Sequence, residues 1–130
     1  MFKLTVTTTF DAAHFLPNYA GKCAQMHGHT WKIEATWHLP GSSINNPNGI
    51  AVDFGILKKM LNTCAELFDH KMINQVLPIP SAEYIAVRIF EMLREMSQAK
   101  GIPGLTATTV YENVDAVVVY TPYENDTERE

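Results

Sequence analysis

The stretch Cys23-Ala24-Gln25-Met26-His27-Gly28-His29 sets two imidazoles and a thiol close together, and His14 lies a short loop upstream. Side chains on a strand repeat every two residues, so a strand beginning at residue 27 projects His27 and His29 from one face. With His14 on a neighbouring strand, the three would offer three nitrogens and leave a fourth position open. That donor set suits catalytic zinc, whereas structural zinc closes its shell with four protein ligands. Three neutral imidazoles leave the ion its full charge to chelate substrate oxygens, acidify a hydroxyl and stabilise an enolate. Cys23 stands outside the ligand set and is free to act as base or nucleophile. A His-x-His pair alone is more commonly two surface residues; His14, Cys23 and the Asp69-His70 pair are what give this one chemical meaning.

Other residues divide by chemistry. Asp69-His70 supplies an oriented acid or base if the chain turns back on the histidines, and a surface charge at a helix end if it does not. Glu112 ends an apolar strand run, where it is either an exposed strand-end acid or an acceptor of two parallel bonds from a guanidine-like heterocycle edge. Cys64 falls on the apolar side of a helical pattern and reads as a small buried hydrophobe. His38 occupies the opposite strand face and reads as surface, and Trp31 and Trp37 read as packing residues. Lys22, Lys71 and Arg88 are candidates for anion binding by charge alone.

The elements that must position these groups follow from periodicity. Residues 2–10 alternate apolar and polar, which predicts a strand, and residues 27–39 predict a longer one with His27, His29, Trp31, Ile33, Ala35 and Trp37 on one face. Pro40 to Gly49 is a loop, and a short strand is expected around Ile50–Val52. Asp53 caps a helix with Phe54, Leu57, Leu61, Ala65 and Phe68 at helical spacing, and Ser81 caps a second with Ile85, Ile89, Met92, Leu93 and Met96. Gly101 and Pro103 end it. Residues 105–112 and 116–121 are β-branched strands around the hairpin signal Asn113-Val114-Asp115. The order ββααββ predicts an α+β fold, a four-stranded antiparallel sheet with both helices on one face. Two open sheet edges need covering, which predicts a ring-like oligomer of identical chains.

The 130 residues fit one domain, residues 1–121, followed by an acidic tail, residues 122–130. No apolar run approaches the roughly 20 residues of a membrane span. Two cysteines make a disulfide framework unexpected and fit a cytoplasmic location. Of the formal charge of −4, all but one unit sits in the last seven residues. The nearly neutral remainder lacks the clustered bases of nucleic-acid binding, so neither nucleic acid nor membrane is an expected partner.

Ala12-Ala13-His14, Cys23-x3-His27-Gly28-His29, Val52-Asp53-Phe54, Leu67-Phe68-Asp69-His70 with Asn74, Pro80-Ser81-Ala82-Glu83 and Tyr111-Glu112 together resemble the 6-pyruvoyl-tetrahydropterin synthase family. That family includes the 6-carboxy-tetrahydropterin synthases of queuosine biosynthesis. The resemblance implies a tunnelling fold, in which three subunits join their sheets into a barrel and two trimers commonly stack. It implies that His14, His27 and His29 hold Zn2+, that Cys23, Asp69 and His70 move protons, and that Glu112 anchors a pterin ring. Active sites in the family lie between subunits, so Asp69 and His70 are candidates to serve a neighbour's zinc. The implied substrate is 7,8-dihydroneopterin triphosphate and the implied product 6-carboxy-5,6,7,8-tetrahydropterin, with acetaldehyde and triphosphate released. The alternatives are pyruvoyl synthase activity on the same substrate and pterin binding without turnover. Two positions depart from the family pattern: Asn113 replaces a threonine, and Pro80-Ser81-Ala82-Glu83 replaces Pro-Thr-x-Glu.

Overall fold

The computed structural model describes residues 1–122; the acidic tail beyond lies outside the described residues. The chain forms β1 (Phe2–His14), β2 (His27–Leu39), α1 (Phe54–Phe68), α2 (Ala82–Ala99), β3 (Leu105–Asn113) and β4 (Ala116–Tyr120), in the predicted order. The strands pair antiparallel in the sequential order β1-β2-β3-β4. Helix α1 packs over β1, and α2 packs over β3 and β4.

Sheet alternation decides which side chains meet the helices. Leu4, Val6, Phe10 and Ala12 of β1 and Trp31, Ile33, Ala35, Trp37 and Leu39 of β2 enter the core with Leu57, Leu61, Cys64 and Phe68 of α1 and Ile85, Ile89, Phe90 and Leu93 of α2. Both tryptophans are fully buried, and each indole N–H has an acceptor: the Ala12 carbonyl for Trp31 and the Ser97 hydroxyl for Trp37. The opposite face is polar. There Thr5 and Thr36 hydroxyls lie 3.0 Å apart and Lys32 pairs with Glu34. His38 is half-buried, with its Nδ1 2.7 Å from the Thr106 hydroxyl, so it is a bonded part of that face and not a free surface residue.

Both predicted caps form. The Asp53 carboxylate accepts from Gly55 N–H at 2.7 Å, and the Ser81 hydroxyl from Tyr84 N–H at 3.2 Å. Three expectations need correction. Strand β1 continues four residues past Phe10, because its pairing with β2 carries through to His14 opposite His27. Residues 50–52 form no strand. The Asn46 side chain accepts from the N–H groups of Asn48 and Gly49 and donates to the Ile50 carbonyl, closing a local turn that competes with a ladder. Phe54 is 60% exposed, so the buried stripe of α1 begins at Leu57.

Among the described residues, no helix is long and apolar enough to cross a membrane. The sheet edges expose Phe2 on β1 and Val117 and Val119 on β4.

Candidate metal centre and acid–base pair

The β1–β2 register places His14 directly opposite His27 and Ala12 opposite His29. All three imidazoles therefore share the core-side face at one end of the sheet, above Trp31, whose ring centroid lies 4.9 Å from that of His14 and 5.2 Å from that of His29. His14 Nε2 and His27 Nε2 lie 3.0 Å apart. His14 Nδ1–H donates to the Pro80 carbonyl and His27 Nδ1–H to the Gln25 carbonyl, both at 2.8 Å. A carbonyl can only accept, so each bond fixes the proton on Nδ1 and turns an Nε2 lone pair inward. Backbone acceptors of this kind orient histidine ligands around metals. Asn74 helps hold the end of β1, accepting from Phe15 N–H and donating to its carbonyl, both at 3.0 Å.

His29 Nε2 is buried with no hydrogen-bond partner. Glu112 Oε1 lies 3.5 Å from it. The ligand atoms of His14, His27, His29 and Glu112 all fall within 4.8 Å of one another. Burial holds His14 below the ordinary imidazole value, against the raising effect of its bond to Pro80. It does the same to His29, against the raising effect of Glu112. Neutral imidazoles with inward lone pairs, one of them orphaned, fit a metal ion.

Asp69 and His70 stand on the other side of β1. Asp69 caps the C-terminus of α1, and His70 follows with φ 58, a left-handed conformation rare in a non-glycine residue. Two bonds to Asp11 hold the turn: Asp11 N–H donates to the Asp69 carboxylate at 3.0 Å, and His70 N–H donates to the Asp11 carbonyl at 2.6 Å. The Asp69 carboxylate accepts from His70 Nδ1 at 3.0 Å. The Asp11 N–H holds the Asp69 carboxyl below its usual value, aided by His70. Sequence reading missed Asp11. Its own signal is weak, an acid on the polar face of β1, because the partners it organises lie 58 residues away.

The two groups border common ground. His29, His70, Asp11 and Lys71 line one open depression of about 550 Å³. His29, Lys32, Tyr111, Glu112 and Asn113 line an adjoining groove of about 670 Å³. Lys71 is thus the one anion-binding candidate that faces this ground, and Lys22 and Arg88 line neither hollow. Cys23 sits half-buried in a short 3-10 turn, Lys22–Ala24, tied to the end of β1 by the bond from Leu16 N–H to its carbonyl at 2.7 Å. Its thiol makes no hydrogen bond to either group. Cys64 lies in the core, where burial pushes its thiol up to about 12.

Residues 3–123 match the family model for 6-pyruvoyl tetrahydropterin synthase. An Archaeoglobus fulgidus chain is 36% identical over 110 residues, 85% of this chain and 87% of that one. The 6-carboxy-5,6,7,8-tetrahydropterin synthase of Synechocystis is 33% identical over 118 residues, 86% of this chain and 87% of the relative. The structure of 6-pyruvoyl tetrahydropterin synthase from Caenorhabditis elegans superposes with a TM-score of 0.77 at 20% identity, over 92% of this chain and 94% of that one. At that identity the superposition speaks for the fold, while the match across nearly the whole sequence speaks for descent: the chain belongs to the 6-pyruvoyl tetrahydropterin synthase family.

Proposed function

We propose that the chain converts 7,8-dihydroneopterin triphosphate and water to 6-carboxy-5,6,7,8-tetrahydropterin, acetaldehyde and triphosphate. The observation that carries this reading is the convergence of His14, His27 and His29 beside Glu112, in a chain whose relatives bear that synthase name. The three Nε2 atoms would hold Zn2+, an ion that favours nitrogen donors in a four-coordinate shell. When bound, the ion would supply Lewis-acid polarisation of substrate oxygens.

The protein's own residues divide the remaining work. The Glu112 carboxylate accepts from the paired N–H groups of the pterin's guanidine-like edge and fixes the ring in the groove beside Tyr111. Asp69 holds the Nδ1 proton of His70, which leaves His70 Nε2 as a base facing solvent and the common depression. Cys23, on its short turn, carries the side-chain proton that must move during elimination. Lys71 pairs with the triphosphate at the rim. No nicotinamide or flavin is needed, because the redox change is internal to the substrate. In assembly, edges β1 and β4 of neighbouring copies pair to make a trimer or a dimer of trimers, which covers Val117 and Val119. The free thiols of Cys23 and Cys64 suit the cytoplasm.

Incubation with 7,8-dihydroneopterin triphosphate tests the reaction: 6-carboxy-tetrahydropterin and acetaldehyde in equal amounts are expected. A product that keeps the three-carbon side chain would instead make the chain a pyruvoyl synthase, and binding without product would make it a pterin-binding protein. Metal analysis is expected to give about one zinc per chain, lost in His27→Ala.

A further inference from the structure

Asp11 turns both of its peptide groups away from β2. Its N–H donates to the Asp69 carboxylate at 3.0 Å and its carbonyl accepts from His70 N–H at 2.6 Å. Ala13 does the same, its N–H donating to the Lys71 carbonyl at 3.2 Å. In an antiparallel ladder such residues alternate with those that bond the partner strand. Asp11 and Thr30, which stand opposite each other, therefore form a pair with no backbone bond between them. Their side chains join them instead: the Thr30 hydroxyl donates to the Asp11 carboxylate at 2.5 Å, in the short range of charge-assisted bonds. Among the described residues no lysine, arginine or histidine forms an ion pair with Asp11, which leaves Thr30 as its side-chain partner.

What those peptide groups hold is a strained turn. His70 adopts φ 58, and a non-glycine residue stays in that region only where its surroundings fix it. Packing contributes little here, because the His70 side chain is 78% exposed. Both oxygens of Asp69 are used, one accepting from Asp11 N–H and the other from His70 Nδ1 at 3.0 Å. The bonds to Asp11 thus set where Asp69 stands, and Asp69 sets which nitrogen of His70 carries the proton. Asp11-Ala12-Ala13 has no β-branched residue to stiffen the strand itself.

On the acid–base reading made above, we infer that Asp11 is a positioning residue for the Asp69–His70 pair, and that the Thr30 hydroxyl is the clamp that fixes it. The clamp ties the pair to β2 in two steps, from Thr30 to the Asp11 side chain and from the Asp11 backbone to Asp69 and His70. Without it, Asp11 is held to β2 only through the pairing of its neighbours Phe10 and Ala12. A displacement of about 1 Å in a reacting group is enough to slow a reaction about 10²-fold. The device lies within one chain, so it works alike whether His70 serves its own chain's substrate or a neighbour's.

Asp11→Ala and Thr30→Val each remove the clamp and leave the backbone in place. Each is expected to lower turnover of 7,8-dihydroneopterin triphosphate by about 10–10²-fold at nearly unchanged KM, and Thr30→Ser, which keeps the hydroxyl, to recover most of it. Because Asp11 acts through Asp69, Asp11→Ala added to Asp69→Asn should slow turnover no further than Asp69→Asn alone. Nitrogen NMR of the His70 ring, in buffer alkaline enough to keep it neutral, reads the clamp without turnover. The parent is expected to hold the proton on Nδ1, and Asp11→Ala to let it move to Nε2 in a large share of molecules. Circular dichroism checks folding, and Thr30→Val carries the same measurements if Asp11→Ala does not fold. Unchanged turnover, losses that multiply in the double variant, or a His70 tautomer that the clamp variants leave unchanged would overturn the inference. A tautomer that shifts as expected, in a protein whose parent makes no product, would uphold the positioning and refute the proposed reaction.

Discussion

His27→Ala should change the stability of the metal-loaded protein and of the stripped protein by very different amounts. Both carbonyl-bonded imidazoles present Nε2 lone pairs to each other at 3.0 Å, a separation that a shared cation makes favourable. Without the cation one ring must move its proton to Nε2 and give up its carbonyl. His27 is the ring that can yield, because His14 is only 1% exposed and Gln25 is at the surface. One such bond contributes a net of about 1 kcal/mol, so in stripped protein His27→Ala should alter stability by no more than about that amount. With zinc at a hundred times its dissociation constant, binding stabilises the fold by about 2.7 kcal/mol, most of which the variant forfeits. For 130 residues, an unfolding entropy of about 2.1 cal/mol/K per residue converts 1 kcal/mol into about 4 °C. Thermal unfolding should therefore show a drop of roughly 10 °C with zinc and under about 4 °C with chelator. Protein concentration must be held constant, since any subunit association would also move Tm. Equal drops with and without chelator would mean that the histidines form a hydrogen-bonded polar cluster, and the metal reasoning would fail.

Thiol titration of the native protein should find one reactive cysteine, Cys23, with the second appearing only on unfolding, because Cys64 is fully buried with its thiol pushed up to about 12. Two native equivalents would contradict the core placement. Asp69→Asn should lower turnover by about 10²–10⁴-fold, since the amide no longer fixes the His70 proton on Nδ1. In the parent, the Asp11 N–H and His70 depress the Asp69 carboxyl, so its stabilising effect is present above the ordinary carboxyl value and lost as pH falls through the lower native one. An NMR titration of Asp69 that matched an unstructured aspartate would refute this. Gly104→Ala should cost more than about 2 kcal/mol in denaturant unfolding, because a Cβ there would fall 2.1 Å from the His38 carbonyl oxygen at a φ of +91.

How far the sequence revealed the structure depended on how locally each feature is decided. Strand β2 was legible to the residue, because its alternation from His27 to Leu39 is unbroken and both tryptophans fall on one face. The helix starts were legible because Asp53 and Ser81 act on N–H groups two and three residues away. Strand β1 runs four residues beyond what its sequence signals: Asp11-Ala12-Ala13 carries no β-branched residue, and pairing with β2 on one edge and bonds to residues 69–72 on the other keep it extended. Ile50–Val52 looked like a strand because its apolar composition was visible and the competing bonds from the Asn46 side chain were not.

The candidate site shows the same division more sharply. The His27–His29 pair belongs to one strand and was legible from the period of two, whereas the opposition of His14 to His27 is set by the β1–β2 register. The Asp69–His70 contact requires a left-handed turn that Asp11 stabilises from across the sheet, and neither bond leaves a mark in the dipeptide itself. The sequence leaves Glu112 as an exposed strand end or a ring acceptor, and its approach to His29 follows from the β2–β3 register, which carries it to the face of Trp31 and the histidines. The geometry of this candidate site is therefore a property of strand register: shifting β3 by one residue against β2 would turn Glu112 to the opposite face while leaving every local motif in place.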